Sequence, residues 1–233
     1  MTTSKKPVFL LAGGPGSRRK SPDPLLQAIF KECGVREPAV AYVGAANDDS
    51  SQFFGFITSA FKEAGAGKIK HAITVPGKAD LKKAKDILEA ADIIFISGGD
   101  VEAGMDVLHK KDLNGYFKGL YDQGKPFFGI SAGSIMLARE WVRWRDPDND
   151  ATAEIFPCMG IAPVLCDTHA EGDDWVELKA LLALEKDGAE GYGLPSGNGI
   201  KVFPDGRVEA LGGAVPLFVR RGDRVIKAKD ILP

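Results

Sequence analysis

The stretch Gln123–Leu137, QGKPFFGISAGSIML, carries the turn that decides the predicted fold. A short apolar run ends at Gly129, and the pentapeptide Gly129-Ile130-Ser131-Ala132-Gly133 leads from it into an apolar helical pattern. A G-x-S-x-G sequence between a buried strand and a helix is typical of a nucleophile elbow, a strained turn that exposes the serine Oγ. We therefore predict that Ser131 is a nucleophile. A plain structural turn is the alternative, because glycine and serine are common in turns.

Alternating strands and helices precede this elbow. Apolar runs predict buried strands, and apolar residues at helical spacing predict the helices between them. The predicted strands cover residues 8–12, 39–43, 69–75, 92–97 and 125–130, and the predicted helices cover residues 24–33, 50–64, 79–90, 102–108 and 113–123. Such alternation indicates βαβ units and therefore an α/β fold, with a mostly parallel sheet between layers of helices.

The chain after the elbow is predicted to be less regular. Residues 138–158 have weak periodicity and are interpreted as an irregular excursion from the core. A strand over residues 160–165, a helix over residues 175–184 and a strand over residues 188–193 follow. In the C-terminal part of the chain, strand-like runs separated by turn residues predict consecutive β-hairpins. These hairpins turn at Pro204-Asp205-Gly206 and at Arg221-Gly222-Asp223. No linker or repeat interrupts the sequence, so residues 1–233 are interpreted as a single domain.

The composition indicates an ordinary globular protein, because 44% of its 233 residues are hydrophobic and 27% are charged. A net charge of −2 provides no field that would recruit nucleic acid or an anionic membrane, which favours a small molecule or peptide as partner. The N-terminal apolar run is a predicted first strand and not a signal peptide. No run approaches the ~18 apolar residues of a membrane helix, so a cytoplasmic location is expected.

No cofactor or metal site is predicted. The turn Gly13-Gly14-Pro15-Gly16 lacks the lysine of a P-loop and the G-x-G-x-x-G spacing, so it is interpreted as a tight loop after the first strand. Cys33, Cys158 and Cys166 form an odd number of cysteines at unrelated spacings, without a C-x-x-C motif. They are interpreted as reduced, mostly buried thiols.

A second loop is predicted to lie beside Ser131. In open parallel sheets, ligands bind outside the carboxyl ends of the strands. Gly98-Gly99-Asp100 directly follows a predicted strand and would share that edge with the elbow. We therefore predict the Gly99 N–H and the Ala132 N–H as donors to an oxyanion, with Gly98 and Asp100 in the same binding loop. A plain loop is the alternative.

A serine nucleophile needs a base, and histidine is the usual one because its pKa lies near neutrality. His71 near a strand and His109 at a basic helix end are interpreted as structural. His169 directly follows a predicted strand, so we predict that it is the base. The acidic residues that could orient its imidazole lie between Ser131 and His169: Asp146, Asp148, Asp150 and Glu154. A solvated acidic loop is the alternative for each of them.

The motifs that combine in this chain are Gly98-Gly99-Asp100, Gly129-Ile130-Ser131-Ala132-Gly133-Ser134, His169 and Gly193-Leu194-Pro195-Ser196-Gly197-Asn198. In this order, over nearly the whole chain, they resemble the peptidase E (α-aspartyl dipeptidase) and cyanophycinase family of serine peptidases. The resemblance implies a flavodoxin-like, class I glutamine-amidotransferase-like three-layer sandwich. It also implies Ser131 as nucleophile, His169 as base, and Gly99 and Ala132 as oxyanion donors.

The chain departs from the family pattern in two places. The acidic partner of the family's histidine stands either shortly after the elbow, where Asp146 matches, or in a Gly-Leu-Pro-Glu-Gly-Asn segment, where this chain has Ser196. Serine adds no charge, so Asp146 is the favoured candidate and Ser196 the alternative. The arginine with which peptidase E recognises an N-terminal aspartate is missing between His169 and the Gly-Leu-Pro segment. Strict aspartyl specificity is therefore not expected unless Arg143 or Arg145 substitutes.

The resemblance predicts a serine peptidase that hydrolyses short peptides, as a dipeptidase does, through an acyl-enzyme on Ser131. The alternative is a catalytically weak or inactive ligand-binding relative on the same scaffold. A glutamine amidotransferase is disfavoured because that class needs a cysteine at the position of Ser131. The expected partner is a small peptide substrate, with no nucleic acid, membrane or cofactor, and the protein is expected to be a monomer or homodimer.

Overall fold

The computed structural model describes residues 4–13, 22–75 and 77–233. Gly14, Pro15 and Gly16 of the predicted glycine-rich turn therefore lie outside the described residues. The strands of the described part are β1 Val8–Leu11, β2 Val40–Val43, β3 Ile69–His71, β4 Ile93–Ile96, β5 Phe127–Ile130, β6 Glu140–Trp144, β7 Ala153–Pro157, β8 Leu165–Thr168, β9 Glu190–Leu194, β10 Gly199–Val202, β11 Val208–Leu211, β12 Leu217–Arg221 and β13 Arg224–Lys227. The α-helices are α1 Pro24–Glu32, α2 Ser51–Glu63, α3 Leu81–Ala90, α4 Val101–Lys110, α5 Leu113–Asp122, α6 Ala132–Leu137 and α7 Val176–Leu184.

Seven strands form the central sheet, in the order β11-β10-β1-β5-β4-β2-β3. The five strands from β1 to β3 in this order run parallel, whereas β10 lies antiparallel to β1 and β11 lies antiparallel to β10. Every residue of β1, β2 and β4 is buried, as expected for parallel strands that are covered on both faces. The predicted α/β sandwich with a mostly parallel central sheet is confirmed.

Helices cover both faces of this sheet. On one face, Phe30 of α1 and Phe61 of α2 pack against Phe95 and Phe128. The rings of Phe61 and Phe95 meet edge to face with 4.9 Å between centroids, which adds about 0.5–1.5 kcal/mol beyond area burial. On the other face, α3, α4, α5 and α6 share a second hydrophobic core with the sheet. Within the described ranges, no helix combines the length and the apolar character needed to cross a lipid bilayer.

A smaller group of strands surrounds α7. A four-stranded sheet has the order β13-β12-β9-β8, and β6 pairs with β7. Leu178 and Leu182 of α7 share a core with Val142 of β6 and Phe218 of β12. Both predicted hairpins of the C-terminal part are present, but they join different sheets. The hairpin β10–β11 extends the central sheet, whereas β12–β13 pairs with β9.

Two predictions for the middle of the chain are wrong. Residues 138–158, predicted to be irregular, contain the hairpin β6–β7. Its charged residues pair across the strands, with Arg143 opposite Glu154, and they obscure the alternation around the buried Val142. The strand predicted over residues 160–165 begins only at Leu165. Residues before it wrap around the end of α6, because the N–H groups of residues 161 and 162 donate to Leu137 O.

A buried carboxylate, Asp49, connects the loop after β2 to β3 and the segment that follows it. Its Oδ1 lies 3.0 Å from His71 Nε2, and its Oδ2 accepts hydrogen bonds from the N–H groups of Thr74 at 2.7 Å and Val75 at 2.8 Å. Burial alone would raise the pKa of Asp49, but the hydrogen bonds from His71, Val75 and Thr74 outweigh burial, so the pKa is lowered. The fold therefore stabilises the charged form of Asp49.

We expect Asp49→Asn to lower the free energy of unfolding by about 2–4 kcal/mol at pH 7, because charge-assisted hydrogen bonds are lost in a buried site. An aspartate whose pKa is lowered in the folded state makes its full contribution to the free energy of unfolding when the pH is above its unfolded-state pKa of about 3.9. This contribution is lost as the pH falls through the folded-state pKa. Chemical denaturation should therefore show that the wild type and Asp49→Asn differ less in their free energy of unfolding at low pH than at pH 7.

The neighbouring Asp48→Asn is the matched control for this experiment. Asp48 also has a positive φ but is exposed, and its carboxylate forms an ion pair with Lys78. A surface ion pair contributes little, so we expect a change below about 0.5 kcal/mol. Equal losses in the two variants would contradict the role given to Asp49.

Candidate active site

Ser131 lies at a strained turn between β5 and α6. Its backbone has φ 56° and ψ −129°, a conformation that costs about 1–3 kcal/mol in a residue other than glycine. The Ser131 N–H donates to Leu11 O of β1 at 2.9 Å and so fixes the turn to the neighbouring strand. The start of α6 also packs directly on β4, because a Cβ on Gly133 would lie 2.0 Å from Ile96 O. Glycine is therefore required at this position of the elbow.

The loop Gly98-Gly99 lies against the elbow. A Cβ on Gly98 would lie 3.1 Å from Ser131 Cβ. Gly99 has φ +146°, and a Cβ there would lie 1.9 Å from Ala46 O, so no other residue fits. Asp100 closes the loop and begins α4, where its Oδ1 accepts a hydrogen bond from the Ala103 N–H at 2.8 Å. The loop is thus fixed by its packing against Ala46 at Gly99 and by the start of α4 at Asp100.

Two backbone N–H groups beside Ser131 remain available to a ligand. The Gly99 N–H makes no hydrogen bond among the described residues. The Ala132 N–H is the first in α6 and has no acceptor within its own helix. Both residues line the cavity that also contains Ser131.

Asn47 positions this loop, and no local pattern in the sequence indicates it. Its Nδ2 donates to Gly98 O at 2.9 Å and to Ser97 Oγ at 2.9 Å, and its Oδ1 accepts from the Ser50 N–H at 3.2 Å. The amide therefore connects the start of α2 to the loop that carries Gly99.

His169 follows β8 and reaches Ser131 from the four-stranded sheet. Its Nε2 lies 2.8 Å from Ser131 Oγ. Its backbone has φ 46°, which is uncommon outside glycine, and its N–H donates to Leu194 O at 2.8 Å. The structure thus brings the predicted nucleophile and base into hydrogen-bond contact, and both have strained backbones, as residues at active sites often do.

Asp146 lies away from this pair. The β6–β7 hairpin places it in an exposed turn, where its Oδ1 accepts a hydrogen bond from the Asp148 N–H at 3.1 Å. None of the described contacts joins Asp146 to His169, and Asp146 does not line the cavity at Ser131. The other acidic candidates also lie on the hairpin: Asp148 and Asp150 in the exposed turn, and Glu154 in ion pairs with Arg143 and Arg145.

Ser196 lies in the segment after β9, beside a carboxylate that was not among the predicted site residues. The Ser196 N–H donates to Glu171 Oε1 at 3.1 Å. Burial alone would raise the pKa of Glu171, but hydrogen bonds from Ser196 outweigh it, so the pKa is lowered. Glu171 thus follows His169 by two residues and is bonded to the segment that carries Ser196.

A cavity of ≈ 330 Å³ opens at Ser131. Beside Ser131 and His169 it is lined by the indole of Trp141 and by four carboxylates, those of Asp100, Asp167, Asp173 and Glu177. Of these four, only Asp100 is a predicted site residue. The strand period of two would have placed Asp167 on the same side as His169. Among the described residues, no group of three or more His, Cys, Asp or Glu side chains is arranged to hold a metal ion.

The family model of peptidase family S51 matches residues 8–208, which is most of the chain. The chain belongs to peptidase family S51. This S51 chain is therefore a peptidase, and the family supports the serine type. The predicted resemblance to the peptidase E family is confirmed. No curated protein matches the chain.

Two solved structures share the fold of this S51 peptidase. A peptidase from an acI-B1 Actinobacterium has a TM-score of 0.73 and 16% identity, over 100% of this chain and 99% of that chain. A candidate peptidase E protein from Listeria monocytogenes EGD-e has a TM-score of 0.60 and 13% identity, over 97% of this chain and 99% of that chain. At these identities the similarity shows the fold alone.

A fluorophosphonate should label this S51 peptidase at Ser131, because a serine hydrogen-bonded to a base is activated toward such reagents. Intact-mass and peptide analysis should show one adduct, and Ser131→Ala should show none. We expect His169→Gln to slow labelling by about 100-fold or more, since the base is lost.

Ser134→Ala is the matched control for labelling. Ser134 lies three residues further along the same motif, is buried, and donates its hydroxyl to Leu11 O at 2.8 Å. Labelling of Ser134→Ala should therefore persist. An adduct on a different serine, or undiminished labelling of Ser131→Ala, would contradict the assignment.

Proposed function

We propose that this peptidase hydrolyses short peptides through an acyl-enzyme on Ser131, with His169 as the general base. The observation that carries the proposal is the 2.8 Å hydrogen bond between Ser131 Oγ and His169 Nε2. In the first step, Oγ attacks the peptide carbonyl carbon while His169 takes the Oγ proton. The imidazolium then gives this proton to the leaving amine as the C–N bond breaks. A water molecule activated by the same imidazole hydrolyses the ester and restores Ser131.

The N–H groups of Gly99 and Ala132 are assigned to the negative charge that develops on the carbonyl oxygen. They flank Ser131 from two directions, one from the loop after β4 and one from the start of α6. Groups fixed in this way need no rearrangement during the reaction, which is why one such donor contributes about 100- to 1,000-fold to the rate.

The third role, holding the imidazole of His169, is assigned to Glu171 together with Ser196. Ser196 stands where the family motif has glutamate, and Glu171 accepts a hydrogen bond from its N–H. The carboxylate that Ser196 lacks is thus supplied from a position two residues after His169. A negative charge near the imidazole stabilises the imidazolium that forms in the first step.

The size of the cavity favours a short peptide. Its volume of ≈ 330 Å³ lies at the lower end of the range of about 300–1,000 Å³ that small-molecule sites occupy. Trp141 lines this cavity, and its Nε1 donates to the Glu177 carboxylate at 2.9 Å.

The function is tested with a panel of X-Leu dipeptides and X-p-nitroanilides in which the N-terminal residue varies. We expect hydrolysis by the wild type and a loss of about 1,000-fold or more in kcat for Ser131→Ala, because the covalent step is removed. Equal hydrolysis by both proteins would exclude Ser131 as the nucleophile. Absence of Ser131-dependent turnover, with small ligands that raise the melting temperature, would support a ligand-binding relative instead.

The orienting role is tested by comparing three variants. Glu171→Gln and Ser196→Ala are each expected to lower kcat by about 10-fold or more, because they weaken the support of the imidazole. Asp146→Asn is expected to leave kcat unchanged, since the Asp146 carboxylate contacts the Asp148 N–H in an exposed turn. A larger loss in Asp146→Asn than in the other two would return the role to Asp146, as the sequence predicts.

A further inference from the structure

The peptide unit between Gly98 and Gly99 carries one of the two N–H groups assigned to the oxyanion. Its carbonyl oxygen, Gly98 O, accepts a hydrogen bond from Asn47 Nδ2 at 2.9 Å. The Gly99 N–H belongs to the same planar unit, and in a trans peptide the C=O and the N–H point in opposite directions. A bond that fixes the direction of Gly98 O therefore also fixes the direction of the Gly99 N–H.

The two glycines do not fix this peptide unit by themselves. A Cβ on Gly98 would lie 3.1 Å from Ser131 Cβ, and a Cβ on Gly99 would lie 1.9 Å from a backbone oxygen, so the close packing requires glycine. Glycine adopts positive and negative φ about equally well, so local sterics do not maintain the φ of +146° at Gly99. If the unit turned over, Gly98 O would replace the N–H on the side of the cavity. A contact from outside the loop is needed to prevent this.

Asn47 is itself held in one orientation. Its Oδ1 accepts from the Ser50 N–H at 3.2 Å, and its Nδ2 donates to Ser97 Oγ and to Gly98 O, at 2.9 Å each. The Tyr42 hydroxyl oxygen lies 3.1 Å from Ser97 Oγ and 3.1 Å from Asn47 Nδ2. A backbone N–H only donates and a backbone carbonyl only accepts, so a reversed amide would lose both of its backbone bonds.

A second hydrogen bond fixes the other side of Gly99. The Asp100 N–H donates to Ala46 O at 2.8 Å. Ala46 and Asn47 are neighbours in one turn of 3-10 helix, so this turn holds the peptide units before and after Gly99. Gly99 lines the cavity, whereas Asn47 does not. Asn47 therefore acts on the cavity through the Gly99 N–H.

We propose that Asn47 is a positioning residue, which holds the peptide unit between Gly98 and Gly99 so that its N–H is directed at the carbonyl oxygen of the substrate. The same bond polarises the peptide unit and strengthens its N–H as a donor. A donor accelerates the reaction when it is directed at the developing charge before the reaction begins. The inference rests on the proposed function for the oxyanion, whereas the direction of the peptide unit is observed without turnover.

Asn47→Asp keeps the size of the side chain and removes the donor to Gly98 O, since a carboxylate only accepts. The Ser50 N–H and the Ser97 hydroxyl still donate to the new carboxylate, so the variant is expected to fold. On the dipeptides, kcat should fall by about 10- to 100-fold with little change in KM, because the Gly99 N–H contributes chiefly in the transition state. Asn47→Ala should change kcat in the same direction. Wild-type kcat in both variants, with folding verified by melting temperature, would overturn the proposal.

A thionoester separates the loss of an oxyanion donor from general damage to the site. The substrates are the methyl ester of the N-terminal residue that the dipeptide panel favours and its thionoester, in which sulfur replaces the carbonyl oxygen. Sulfur is a weak hydrogen-bond acceptor and gains less from the Gly99 N–H. The ratio of kcat/KM for the ester to that for the thionoester should therefore fall by about 10-fold in Asn47→Asp. Equal losses on both substrates would assign Asn47 to the stability of the fold alone and overturn the proposal.

Ser50→Ala is the matched control. Ser50 Oγ accepts from the Phe53 N–H at 3.3 Å at the start of α2, whereas the contact with Asn47 uses the backbone N–H, which the variant retains. The variant should have a lower melting temperature, because an N-cap is lost, and the wild-type ratio of the two esters. If Ser50→Ala lowered this ratio as much as Asn47→Asp does, destabilisation of the region would explain both results and the proposal would be overturned.

Crystal structures of the wild type and Asn47→Asp separate this inference from the proposed function. In Asn47→Asp the peptide unit between Gly98 and Gly99 should be turned, with Gly98 O on the side of Ser131. This result would support the inference even if no peptide were hydrolysed. A peptide unit that keeps its wild-type direction in Asn47→Asp would overturn the inference, and Ser131-dependent hydrolysis by the wild type would still leave the proposed function standing.

Discussion

The carbonyl oxygen of Leu11 holds the reactive turn in place. It accepts two hydrogen bonds from the elbow, one from the Ser131 N–H at 2.9 Å and one from Ser134 Oγ at 2.8 Å. Leu11 lies opposite Ile130 where β1 and β5 run side by side. The bond from the Ser131 N–H and the close approach of Gly133 to β4 hold Ser131 in its strained conformation. The conformation of Ser131 therefore depends on contacts between the elbow and the parallel sheet.

The second constraint is the separation between the two sheets. Ser131 belongs to the edge of the central sheet, whereas His169 ends β8 of the smaller sheet, and their hydrogen bond of 2.8 Å spans the gap. Cys166 of β8 and Leu194 of β9 lie in the same hydrophobic core as Ile135 of α6. This shared core sets the distance between His169 and Ser131. In the proposed mechanism a displacement of about 1 Å would cost on the order of 100-fold in rate, so the packing of this core matters to the proposed site.

Local patterns predicted the parts of the site that lie within a few residues of a strand end. The elbow, the Gly98-Gly99 loop and the position of His169 after a strand are of this kind. Asn47 could not be predicted, because it meets Gly98 O across 51 positions of the chain. The hairpin β6–β7 was missed because its paired charges hide the strand period, so the position of Asp146 in the exposed turn of that hairpin could not be predicted. The positions of Asn47 and of the hairpin are set by contacts between elements that are far apart in the sequence. Local sequence patterns do not predict such contacts.

Two buried aspartates have opposite effects on the stability of the fold. Asp49 is surrounded by donors and its pKa is lowered, so it stabilises the protein at neutral pH. The pKa of Asp167 rises from 3.8 to about 7, so the fold loses stability as the pH rises between those values. The shift corresponds to on the order of 4 kcal/mol, a large part of the ~5–15 kcal/mol that stabilises a typical domain. Asparagine has the same size and would avoid this cost. A buried carboxylate that lowers stability at neutral pH and lines the same cavity as Ser131 and His169 is typical of a functional site.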